Sequence, residues 1–90
     1  MAHARAIRRE IAKRLARVSG HVDAIRKMLE SDRECDEILQ QMTAVIRAME
    51  AARQSILEDH LENCIADAAR AGRGEEAVDE LRKTLKFAFR

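Results

Sequence analysis

The 90-residue sequence has no proline, no tryptophan and no tyrosine, and only two phenylalanines, three glycines and two cysteines. Each shortage excludes something. Without aromatic side chains there is no stacking platform of the kind that grips single-stranded nucleic acid. The same shortage, beside abundant Ala, Leu, Ile, Val and Met, disfavours sheets and favours helices. With no proline and few glycines, little interrupts a helix once it starts. There is no glycine-rich phosphate loop, and no nucleophile–base pair or cleft-placed acid pair is recognisable, so an enzyme is not expected. No apolar run approaches the ~20 residues that span a bilayer, and no secretory signal pattern precedes the charged start. The expected compartment is the cytoplasm, where two cysteines read as metal-binding or reactive thiols rather than as a structural disulfide.

What is present is charge, at 37% of residues, and it is unevenly spread although the net charge is only +1. Residues 1–20 carry Arg5, Arg8, Arg9, Lys13, Arg14 and Arg17 against one acid, Glu10. Residues 30–37 carry Glu30, Asp32, Glu34, Asp36 and Glu37 against Arg33. A polarised chain of this kind can present a basic face to an anionic partner while staying near neutral overall.

Periodicity divides the chain into three helices within one domain, residues 1–90. The first is expected from about Ala4 to Glu30, with Ile7, Ile11, Leu15, Val18, Val22, Ile25 and Leu29 as its packed stripe. Gly20 interrupts it and suggests close helix approach. Ser31 and Glu34 have capping-box spacing, with Asp32 as the competing N-cap. The second helix is expected from about Arg33 to Ala69. It carries two apolar stripes: Ile38, Met42, Val45, Met49, Ala52 and Ile56, and alongside them Leu39, Ile46, Leu57 and Leu61. Two stripes imply burial on two sides, one against the first helix and one against a partner chain. Arg70 to Gly74 is the linker, and a third helix follows from Glu75 with Val78, Leu81, Leu85 and Phe89 on its apolar face.

Cys35, His60 and Cys64 are the chemistry-bearing residues. His60 and Cys64 are i and i+4 and point the same way. Cys35 shares their face, but 25 residues of helix put it ~37 Å away along the axis. One unbroken helix cannot close these three on an ion. A two-fold antiparallel pairing centred near Ala48–Met49 can, by setting Cys35 of one chain beside His60 and Cys64 of the other and making two sites per dimer. Two thiolates and an imidazole suit trigonal Cu(I); with a fourth donor, for which His3 is the candidate, they suit Zn(II) or square-planar Ni(II). The plainer alternative is that each cysteine is a small core hydrophobe. Arg5, Arg8, Arg9, Lys13, Arg14 and Arg17 lie mostly opposite the apolar stripe of the first helix. They form either a phosphate-binding surface or a solvated face.

Three segments carry a family resemblance: Arg14-Leu15-Ala16-Arg17-Val18-Ser19-Gly20-His21-Val22, Asp32-Arg33-Glu34-Cys35-Asp36-Glu37-Ile38-Leu39-Gln40-Gln41, and Leu57-Glu58-Asp59-His60 with Cys64. With their mutual spacing kept, the chain resembles the copper-sensitive operon repressor family, which also includes nickel, cobalt, formaldehyde and persulfide sensors. The resemblance implies an all-α, three-helix protomer, an antiparallel four-helix-bundle dimer and a dimer-of-dimers tetramer. It implies a metal-free form that binds operator double-stranded DNA and an effector, Cu(I), that releases it to derepress efflux genes. By position, Cys35, His60 and Cys64 match the Cu(I) ligands, Glu80 the carboxylate behind the histidine, and Arg14 and Arg17 the DNA contacts. His3 matches the extra N-terminal ligand of the nickel sensors, so a Ni(II) repressor is the near alternative and a thiol- or persulfide-reactive sensor the further one. The chain departs from the usual pattern at His21, where Gln is usual, at Glu34, where some copper sensors have Tyr, and at Ile46, where Arg is common.

Overall fold

The computed structural model describes the backbone of residues 2–88 and the side chains of residues 5–88. His3 therefore lies outside the described side chains, and Phe89 outside the described residues altogether. The fold is all-α, and no strand occurs among the described residues. Helix α1 spans Ala2–Glu30 and α2 spans Cys35–Asp59. A π-helical turn, His60–Ile65, continues α2 into the short α3, Ala66–Arg70, and α4 spans Gly74–Ala88. The second helix expected from the periodicity is thus present to its end, but with a wider turn inside it. There Ala66 N–H donates to Leu61 O, five residues back.

Helices α1 and α2 pack as an antiparallel hairpin. Arg14 Nη1 donates to Ser55 Oγ at 3.2 Å and His21 Nε2 lies 2.6 Å from Gln41 Oε1, so polar contacts tie the two helices at separate levels. Helix α4 folds back on α3 and the π turn. The core threads all of these: Ile11 and Ile25 from α1, Ile38 and Ala52 from α2, Ile65 from the π turn and Ala77 from α4.

Both turns close by the same device, and neither is the capping box that residues 31–34 suggest. Ser31 spends its hydroxyl backwards, donating to Lys27 O at 2.9 Å and Met28 O at 3.3 Å. Asp32 sits at φ 56° and Arg33 N–H reaches back to Met28 O at 3.1 Å, a left-handed helix stop. The residue before α2 is Glu34, whose side chain makes no capping bond, so neither Ser31 nor Asp32 is an N-cap. After α3, Gly72 takes φ 81° while Arg73 N–H bonds Ala68 O at 2.9 Å and Gly72 N–H bonds Ala69 O at 3.2 Å. This is the same stop with the residue that best tolerates it. The linker is Ala71 to Arg73, since Gly74 already belongs to α4.

The protomer is a thin slab. Its extents are 58 × 27 × 13 Å, and its radius of gyration is 17.7 Å, against about 12 Å for a compact chain of this length. Stable domains bury two packed layers, and a thickness near one helix diameter supplies one. Large apolar side chains are left in the open as a result: Leu39, Met42, Ile46, Met49 and Ile56 on α2, and Leu15, Val22 and Leu29 on α1. The two stripes of α2 are apportioned differently from the sequence reading. Ile38, Val45 and Ala52 turn inward, whereas Met42, Met49 and Ile56 join Leu39 and Ile46 outside. The close approach expected at Gly20 is absent within the protomer, where a Cβ would meet nothing within 4 Å.

Candidate metal centre and basic face

His60 opens the π turn and Cys64 lies within it. Both are partly buried and both line one cavity of 150 Å³ with Ile7, Arg8 and Ile11 of α1. The imidazole and the thiol therefore face a common space, as the i, i+4 spacing requires. Glu80 of α4 comes to the far side of the ring, its Oε1 3.3 Å from His60 Nε2. A carboxylate beside Nε2 leaves Nδ1 as the ring nitrogen free to serve as a donor. Asp59 joins the cavity wall and is itself held by Asn63, whose Nδ2 donates to Asp59 Oδ1 at 2.7 Å across the π turn. The sequence reading missed this pair; its i, i+4 spacing was the available signal.

Cys35 is the first residue of α2, an exposed free thiol. The 25 residues that separate it from His60 keep it ~37 Å away. Among the described residues no three His, Cys, Asp or Glu side chains are grouped to hold a metal. One protomer thus brings together one nitrogen and one sulfur donor, a pair whose chemistry suits a soft or borderline cation such as Cu(I), Zn(II) or Ni(II) only with further donors. The strip between the two ends is the exposed apolar face of α2, with Leu39, Met42, Ile46, Met49 and Ile56 running from the level of Cys35 toward His60.

The basic residues of α1 divide. Arg5, Arg9, Lys13 and Arg17 are exposed, and Arg17 stands 3.9 Å from Glu10. Arg14 is half-buried against α2 through its bond to Ser55, so it belongs to the edge of the hairpin, not to the outer stripe. Arg14, Arg17 and His21 line an open groove with Ala48 of α2. No helix among the described residues is long and apolar enough to cross a membrane.

The family described as metal-sensitive transcriptional repressor matches residues 7–86. The chain belongs to this family. Among its relatives is the copper-sensing transcriptional repressor CsoR of Bacillus subtilis (strain 168), 44% identical over 77 residues that cover 86% of this chain and 76% of the relative. CsoR of Mycobacterium tuberculosis (strain ATCC 25618 / H37Rv) is 40% identical over 80 residues, 89% of this chain and 67% of the relative. Two solved structures share the fold. The nickel-responsive transcriptional regulator InrS superposes with a TM-score of 0.82 at 33% identity, covering 90% of this chain and 91% of its own. The copper-sensing repressor CsoR with Cu(I) from Geobacillus thermodenitrificans NG80-2 gives a TM-score of 0.78 at 38% identity, covering 87% and 81%. The protein is a metal-sensing transcriptional repressor of a non-enzymatic family, and membership implies DNA binding and oligomerisation.

Proposed function

We propose that the protein is a Cu(I)-responsive repressor whose metal site is shared between two antiparallel protomers. The observation that carries this reading is the exposed apolar strip of α2, which has Cys35 at one end and the His60–Cys64 cavity at the other. Pairing two such strips head to tail covers both and brings the thiol of Cys35 to the half-site of the neighbouring chain, twice per dimer. Two such dimers form the tetramer, with residues 1–90 acting as a single domain of each subunit. The relatives that sense copper support the choice of Cu(I).

Cys35, His60 and Cys64 hold the metal, His60 through Nδ1. A bound soft cation supplies the bridge between subunits. Glu80, with Oε1 3.3 Å from His60 Nε2, orients the ring and carries any movement of it into α4. The metal-free form binds operator duplex in the cytoplasm through Arg5, Arg9, Lys13, Arg14 and Arg17, largely by phosphate contacts. Linkage then requires the DNA-free arrangement to bind metal more tightly than the DNA-bound one, by about 1–3 kcal/mol for an ordinary allosteric protein. Release of the operator derepresses metal-efflux genes.

The test is an anaerobic Cu(I) titration followed by operator binding. Stoichiometric loading is expected to weaken DNA binding, and His60→Ala or Cys35→Ala to abolish the response. Unchanged operator affinity on full loading rejects the proposal. A second reading, a Ni(II) sensor with His3 as fourth ligand, is favoured by the similarity to InrS. In that case His3→Ala removes a Ni(II) response, and an unaltered response excludes His3.

A further inference from the structure

One cation of α1 is not on the outer basic face. Arg8 follows Ile7 on the edge of α1 that turns toward the π turn, and it lines the same cavity as Asp59, His60 and Cys64. Its neighbours in sequence that belong to the exposed stripe, Arg5 and Arg9, do not line that cavity. Arg8 is exposed, and among the described residues no carboxylate lies within ion-pair distance of it. The nearest acid in the cavity wall, Asp59, is engaged by Asn63. A residue whose guanidinium stays charged at every working pH therefore stands in the wall of the cavity that the thiol and the imidazole share.

We propose that Arg8 is a charge-selecting residue of the His60–Cys64 pocket, favouring a monovalent over a divalent metal ion. The inference rests on the metal-site reading above and deepens it. Ligation removes the protons of the two thiols, so the loaded centre carries two negative charges from sulfur, none from the neutral imidazole, and the charge of the ion. With a monovalent ion the centre totals −1 and is attracted to Arg8. With a divalent ion it totals zero, and Arg8 contributes nothing. If only Cys64 lies near enough to count, the totals become zero and +1, and Arg8 repels the divalent centre instead. Either way the monovalent ion gains relative to the divalent one by one unit of charge interaction. For charges ~6–8 Å apart at an effective dielectric of ~40, that is a selectivity of about six- to tenfold at low salt and about two- to threefold once screened at physiological salt.

The experiment compares Cu(I) and Zn(II) affinities of the full chain, each by competition with a chromophoric chelator, in wild type, Arg8→Gln and Arg8→Lys. Helicity by circular dichroism is checked in all three. The expected result is that Arg8→Gln lowers the Cu(I)-to-Zn(II) affinity ratio by about six- to tenfold at low salt and about two- to threefold at physiological salt, and that Arg8→Lys restores most of it. Equal loss for both ions would reveal a packing role and overturn the inference, as would an unchanged ratio or a failure of Lys to restore it. A wild-type chain that binds neither ion would instead remove the metal-site reading itself, and this inference with it.

Discussion

Replacing Ile46 with Asp tests the head-to-tail pairing on which the shared site depends. Ile46 lies in the middle of the exposed strip of α2 and keeps 57% of its surface in the open within the protomer. Fully burying an isoleucine side chain is worth about 1.5–3 kcal/mol. Covering what remains exposed is therefore worth about 1–1.7 kcal/mol per protomer, and about 2–3.5 kcal/mol per two-fold dimer, because the symmetry uses the residue twice. Aspartate forfeits that gain and brings two carboxylates close to the axis, which adds to the loss. The dimer dissociation constant is expected to rise by at least about 30- to 300-fold. Sedimentation equilibrium over a range of protein concentrations measures it directly. Arg47→Ala changes the charge by the same unit, away from the strip, and serves as the control. An Ile46→Asp protein that associates as tightly as wild type would refute the pairing, and the bridged Cys35 site would fall with it.

Other expectations concern the turns and the surface. Asp32 holds a left-handed conformation at φ 56°, so Asp32→Gly is expected to stabilise the α1–α2 turn by about 0.5–1 kcal/mol in urea unfolding, whereas Gly72→Ala, at φ 81°, is expected to cost about 1 kcal/mol. A neutral or opposite effect at either position would show that these turns are not the stops described. Arg26, and then Lys27, hold the Asp23 carboxyl below the ordinary carboxylate range. A carboxyl depressed in the folded state adds stability above its unfolded pKa and loses it as pH falls through the folded value. Asp23→Asn should therefore lower stability by a constant amount at neutral and alkaline pH and flatten the most acidic part of the pH–stability curve. NMR titration showing Asp23 in the ordinary range would contradict this.

The three-helix layout was legible because apolar residues at steps of three and four have one economical explanation, and no proline or glycine intervenes between Cys35 and Ala71. The turns were not legible to the same degree. Ser31 with Glu34 satisfies the spacing of a helix start, yet Ser31 is used by the preceding helix, whose last carbonyls compete for the same hydroxyl. The π turn left no mark in the residue pattern, since an extra residue in one turn preserves apolar spacing on either side. Asp59 and Asn63 escaped notice, and Arg8 was assigned to the outer basic face, because nothing in a linear pattern says which side of a helix end another helix will cover.

Residue types and their spacing by themselves determined that this protein is helical, that its thiols and imidazole share a helix face, and that one stretch of α2 separates them too far for a single chain to close on an ion. The tertiary structure alone decided which apolar residues of α2 stay uncovered, and which arginine lines the cavity and which reaches Ser55. The reason is physical. Periodicity records only that a side chain prefers to leave water, whereas the choice of neighbour depends on where the two turns aim the helices, and those angles are set by backbone bonds that many sequences could make.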